Sequence, residues 1–206
     1  MTVWFTADPH FGHFNIIRYC GRPFTTAEEM NHDLVDRHNS VVEHGDTVWI
    51  VGDFSLSAGA LGWASRLNGH KILVPGNHDK CWSGRRGGKG PQARQLYSDA
   101  GFDQIIDHPD PMLIADHSVI INHFPYQRSD PRQPVADSHD IERHVHNRPV
   151  DRGGWLLHGH VHEKWLQQGR MINVGVDAWG GFPVSVPTLA GVIRGGPAEL
   201  APIPWS

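Results

Sequence analysis

Three times in its first eighty residues the chain runs through a short apolar stretch and stops on polar side chains. The run at 3–6 leads into Asp8-Pro9-His10, the run at 47–51 into Gly52-Asp53, and the run at 71–74 into Pro75-Gly76-Asn77-His78-Asp79. Short apolar runs without alternation read as strands covered on both faces. Between the first two, residues 26–42 carry helical spacing (Met30, Leu34, Val35, His38, Val41), with Thr25 or Thr26 as N-cap ahead of Glu28 and Glu29. Between the second and third, a helix is expected over 58–67, stopped by Asn68-Gly69. Strands alternating with helices predict βαβαβ units, a parallel sheet and right-handed crossovers. Such a sheet binds ligands past the C-terminal ends of its strands, where all three polar motifs fall.

The second half reads differently. Short strand-like segments at 104–106, 112–115, 119–121, 155–157 and 171–174 follow one another with little helical pattern between them. They predict a second sheet packed on the first, with helices outside. The stretch 125–154 is polar and long for a loop, a length that is usually functional or disordered. No linker or repeat divides the 206 residues, so a single domain over 1–206 is expected.

A net charge of −4 provides no global positive field for a long nucleic acid or an anionic membrane, so no stable nucleic-acid complex is expected. The sixteen histidines are the compositional outlier. Histidine is the commonest metal ligand and the side chain suited to acid–base work near neutral pH. His32, His38, His44 and His108 are read as ordinary surface residues. Two cysteines exclude a disulfide framework or a cysteine-rich zinc site. The N-terminus has no basic region or long apolar stretch, and no apolar run reaches membrane-spanning length, so a cytoplasmic protein is expected.

The polar motifs share one chemistry. Asp8 and His10, two apart at a strand end, are expected to share one face and one cation. The two oxygens of Asp53 suit a bridge between two metals. Asn77 offers a neutral carbonyl oxygen, and His78 can give a proton to a leaving alkoxide, with Asp79 expected to hold that imidazole in the right tautomer. His123 follows the strand at 119–121, and Gly159-His160-Val161-His162 places two imidazoles after the strand at 155–157. Each motif alone is weak, and Gly-Asp by itself is a common turn. Their order and chemical agreement carry the reading.

This pattern resembles the calcineurin-like metallophosphoesterases, whose blocks run D-x-H, GD, GNH(D/E), H and G-H-x-H. The resemblance spans residues 8–162, and the extended opening Asp8-Pro9-His10-Phe11-Gly12-His13, with Asn173-Val174-Gly175-Val176-Asp177, is similar to the small bacterial and phage-encoded branch. It implies an α/β fold, a four-layer αββα sandwich of two mixed sheets flanked by helices. It implies Asp8, His10 and His162 around one metal, Asn77, His123 and His160 around a second, and Asp53 bridging. His78 becomes the general acid or a phosphate contact. The activity implied is attack by a metal-bridging hydroxide on a phosphoester. Small phosphodiesters, among them 2′,3′-cyclic nucleotides, are the expected substrates, with a broad phosphomonoesterase or a silent interaction scaffold as alternatives. The O/N ligand set suits two divalent ions, manganese first, with iron or zinc as alternatives. Protein phosphatases and dinucleoside tetraphosphatases carry G-D-x-x-D-R-G, where this chain has Gly52-Asp53-Phe54-Ser55-Leu56-Ser57-Ala58, which counts against both.

After Asp79 comes a glycine-rich basic stretch that lacks the spacing of a P-loop. Arg85, Arg86 and Lys89 are expected to form a basic lip for an anionic substrate, with Trp82 available to stack on a base. A solvated loop is the alternative.

Overall fold

The three leading strands are buried on both faces, which explains their unbroken apolar character. In the computed structural model, which describes residues 1–84, 90–127 and 144–205 (of 90–92 the backbone only), β1 (Val3–Thr6), β2 (Thr47–Ile50) and β3 (His70–Leu73) lie parallel. Val3 stands opposite Thr47, and Val48 opposite Lys71. On one face Val48, Ile50 and Leu73 pack against helices; on the other Phe5, Ala7, Val51 and Val74 meet the second sheet. The polar motifs are therefore held at the end of a sheet clamped from both sides.

The helical side follows from local sequence. Helix α1 (Phe14–Tyr19) buries Ile16 and Ile17. Helix α2 (Ala27–Val41) starts at Thr26, whose hydroxyl accepts the Glu29 N–H, while the Glu29 carboxylate takes the N–H and hydroxyl of Thr25. Its buried stripe is Met30, Leu34, Val35 and His38. The helix expected over 58–67 is present as a 3₁₀ helix, Ala58–Arg66. Gly59 and Gly62 weaken α-helix propensity there, and a three-residue turn sets Leu61 and Ala64 on one buried face.

The strand at Gln104–Ile105, β4, belongs to the first sheet and not the second as expected; it pairs parallel with β3. Helix α3 (Gly90–Asp99), hidden in the sequence behind a glycine-rich stretch, supplies the crossover. Tyr97 and Phe102 then join the helix-side core. The second sheet holds β5 (Met112–Ile114), β6 (His117–Ile121), β7 (Trp155–His158), β8 (Gln167–Gly169) and β9 (Met171–Asn173). Strand β10 (Val184–Ser185) returns to pair antiparallel with β1, and β11 (Ala198–Leu200) closes the second sheet beside β8. The orders are β10-β1-β2-β3-β4 and β11-β8-β9-β7-β6-β5, both mixed.

Helix α4 (Val186–Gly195), capped by Ser185, packs Leu189, Ala190 and Ile193 into the core between the sheets. Its sequence carries a Ser cap and an early proline, signals of a helix start that went unread. No described helix is long and apolar enough to cross a membrane.

His38 is a correction. It is 3% exposed and its Nε2–H donates to the Asn68 carbonyl at 3.0 Å. Burial pushes its pKa down to about 4. Below the ordinary value of 6.5 the unfolded chain takes a proton that the folded chain refuses, so stability is lost as pH falls from about 6.5 towards 4 and is unaffected above 7. The full effect is about 3 kcal/mol. Chemical denaturation should show a lower midpoint at pH 5 than at pH 7, and His38→Gln, which can still donate to Asn68, should reduce that difference. An unchanged difference in the variant would contradict the assignment.

Candidate metal centre

The ligand-bearing loops leave their strands in an unusual backbone conformation. Asp8, His10, Asp53, His160 and His162 all have φ between 51° and 73°. Among the described residues only Ala115 and Asp116, in the turn between β5 and β6, share this property without glycine's freedom. Such conformations cost about 1–3 kcal/mol each and persist where surrounding structure enforces them. The Asp8 N–H donates to the Gly52 carbonyl, and those of His10 and Phe11 to the carbonyls of Asp53 and Phe54, so the loops after β1 and β2 run alongside each other.

The side chains therefore converge for a different reason than strand alternation. Asp8 and His10 do meet, joined by His162. His160 lies apart from His162 and joins Asp53 and His123. The left-handed conformation at both positions separates the two imidazoles into two clusters. Within each cluster the ligand atoms lie within 4.8 Å of one another.

Asp53 connects the two groups. Its Oδ2 is 3.7 Å from His10 Nε2, 3.4 Å from His123 Nε2 and 3.9 Å from His78 Nε2. Its Oδ1 accepts the His78 backbone N–H at 2.9 Å. Asn77 Oδ1 lies 3.1 Å from His123 Nε2, which places the carboxamide beside the second cluster. Two of the inward-facing imidazoles are aimed by their other nitrogen: His123 Nδ1 bonds the Val51 carbonyl at 2.9 Å, and His162 Nδ1 lies 3.2 Å from Asp177 Oδ2. Three glycines clear the space. A Cβ on Gly52 would overlap the His123 ring, on Gly76 the Asp53 carboxylate, and on Gly159 the Asp8 carboxylate.

These residues fit divalent cations. Asp8 Oδ1 and both ring nitrogens of His10 are buried with no protein partner, a costly arrangement unless something else is bound there. The proton affinities agree. Burial raises Asp8 to about 6 and holds His10 well below its usual range. Burial opposes charge on His123 too, yet the Asp53 carboxylate outweighs it and lifts the pKa to about 9. Burial would raise Asp53, but His123 and its neighbours hold it well below the carboxylate range. Protons and metal ions compete for the same atoms, so cations entering here would release protons.

Asp79 has a different role from the one expected. Its carboxylate does not serve the His78 ring but accepts the backbone N–H groups of Asp53 and Gly76 at 2.9 Å and of Phe54 at 3.2 Å, with the Tyr97 hydroxyl at 3.3 Å. It fastens the loop after β2 to the loop after β3. Burial, then the Asp53 charge, pushes its pKa up to about 7.

Arg22, and the role of Asp177, escape sequence reasoning. The buried Arg22 guanidinium pairs with both Asp177 oxygens at 2.8 Å and donates to the carbonyls of Asp8 and Pro9 at 2.8 and 2.9 Å. It thereby orients the carboxylate that orients His162. The pair is 155 positions apart in the chain, and no local pattern links them. Removing either partner leaves the other charge buried, a loss of about 3–5 kcal/mol. Cys20, His162 and Asp177 also lie close enough for a cation, but the Arg22 charge already occupies that carboxylate. Arg85, Arg86 and Lys89 lie outside the described residues. Trp82 is buried against Phe124 and His144 and not free in a loop.

Asp79→Asn should lower unfolding stability by at least about 2 kcal/mol, because an amide NH₂ would face backbone donors. If Asp79 served only to orient His78, stability would be unchanged.

No family model matches the chain. The Gene 66 protein of Mycobacterium phage L5 is 34% identical over 198 residues, covering 86% of this chain and 87% of that protein. The uncharacterized protein MJ1445 of Methanocaldococcus jannaschii is 28% identical over 205 residues, covering 94% and 92%. The crystal structure of a protein of unknown function, AQ665 from Aquifex aeolicus, aligns with a TM-score of 0.61 at 25% identity over 93% of this chain and 98% of that one. The likeness to AQ665 extends over nearly the whole of both chains, and the identity to the phage protein over most of both; on the latter, the chain belongs to the family of the mycobacteriophage Gene 66 protein.

Proposed function

We propose that the chain is a dinuclear metal-dependent phosphoesterase of the metallophosphoesterase fold, working as one domain in the cytoplasm and hydrolysing small phosphodiesters such as 2′,3′-cyclic nucleotides. The observation that carries this reading is the Asp53 carboxylate between two groups of inward-facing ligands, Asp8, His10 and His162 on one side and Asn77, His123 and His160 on the other. Divalent ions bound there, manganese by preference, would neutralise phosphate charge and lower the pKa of a coordinated water.

The chain's own contribution is positional. Asp8 and Asp53 place two buried carboxylates at the base of the site, where bound cations would offset their charge for an incoming phosphate. His78 stands on the solvent side, its side chain 46% exposed, with its backbone N–H fixed to Asp53. That location suits an imidazole that gives a proton to the departing alkoxide oxygen. The product would be a phosphate monoester and a freed hydroxyl, both on one nucleotide for a 2′,3′-cyclic substrate, with no covalent intermediate on the protein.

Chelated protein should be inactive towards bis(p-nitrophenyl) phosphate and recover with added Mn²⁺. His78→Ala should lower kcat about 10²–10⁴-fold while binding the same amount of metal. Activity that survives chelation would contradict the proposal. Faster turnover of p-nitrophenyl phosphate than of the diester would favour a monoesterase.

A further inference from the structure

Beside the second cluster is a cavity of about 340 Å³. It opens where the loops after β3, β4 and β6 meet the turn at Val145–Asn147. His123 belongs both to its wall and to the group around Asp53. Whatever fills this space is therefore directly next to a phosphate held at the ligand cluster.

The lining has two characters. One wall is aromatic: Trp82 and Phe124 both line the cavity, with their rings 5.6 Å apart. Gly84 lies so close to the Trp82 ring that any Cβ there would strike it. The rest is polar, with Ser83, His108, His146 and Asn147 offering donors and acceptors. Asp107 also lines the cavity; one of its oxygens pairs with Arg94 while Oδ1 is buried without a protein partner. The volume is at the small end for ligand pockets, about 300–1,000 Å³, which suits one nucleoside and not a polymer.

We infer that this cavity receives the nucleoside portion of the substrate, the base lying against the Trp82–Phe124 wall. This rests on the phosphoesterase reading above for the position of the phosphate, but not for the binding of the nucleoside itself. Aromatic stacking accounts for affinity of this kind without strong sequence preference. The reading gives His108, earlier taken as an ordinary surface residue, a place in the recognition wall.

Calorimetry with adenosine on metal-free protein tests the inference apart from any activity. Wild type should bind adenosine, and Trp82→Phe and His146→Ala should each weaken binding about fivefold or more. His146 is exposed, so its replacement should leave the fold intact even if Trp82→Phe does not. With Mn²⁺, both variants should raise the KM for 2′,3′-cyclic AMP more than they lower kcat. No adenosine binding by wild type, or equal binding by the His146 variant, would overturn the inference even if bis(p-nitrophenyl) phosphate is hydrolysed. Adenosine binding without hydrolysis of any phosphodiester would leave the cavity standing and remove the phosphoesterase reading.

Discussion

A single buried oxygen, Asp53 Oδ2, lies 3.4 to 3.9 Å from imidazole nitrogens delivered by three separate loops, those of His123, His10 and His78. Holding a carboxylate there requires that it be solvated by something other than water. The backbone contributes the His78 N–H, and Asp79 fixes the loop by accepting the Asp53 N–H from below. Glycine at 52 and 76 gives the carboxylate and the His123 ring room to approach. Much of the remaining architecture can be understood as the means of keeping that oxygen in place.

The cost is visible in the backbone and in the unpaired atoms. Five ligand-bearing residues adopt left-handed conformations, and Asp8 and His10 keep polar atoms buried without partners. Such an arrangement survives because the strands beneath it are clamped between the helix-side core around Met30, Ile50 and Leu73 and the inter-sheet core around Phe5, Val51 and Leu157. The Arg22–Asp177 pair extends the same support laterally, tying the Asp8-Pro9 backbone to the residue that aims His162. Rigid elements carry a strained site, and the strain is concentrated where ligand atoms must converge.

The sequence reveals the parts of this that are local. Apolar runs at β1, β2 and β3, the Thr26 cap and the order of the polar motifs are all readable, because each depends on neighbours in the chain. The parts that depend on distant residues are not. Spacing alone puts His160 and His162 together, whereas a positive φ at each sends them to different clusters. Adjacency suggests that Asp79 serves His78, whereas tertiary packing gives it backbone donors from another loop. Strand β4 is legible as a strand but not as a member of the first sheet, since its helix α3 is masked by glycines. His38 lies on the apolar stripe of its own helix, and that periodicity, rather than its polarity, was the better guide to burial.

The most direct measurement is the number of divalent ions the chelated protein takes up. If Asp53 stands between two cation positions, calorimetric or equilibrium-dialysis titration with Mn²⁺ should reach two ions per chain, and Asp53→Ala should lose at least one of them. Wild-type protein that saturates at a single ion, or an Asp53→Ala variant that still binds two, would contradict a bridged pair.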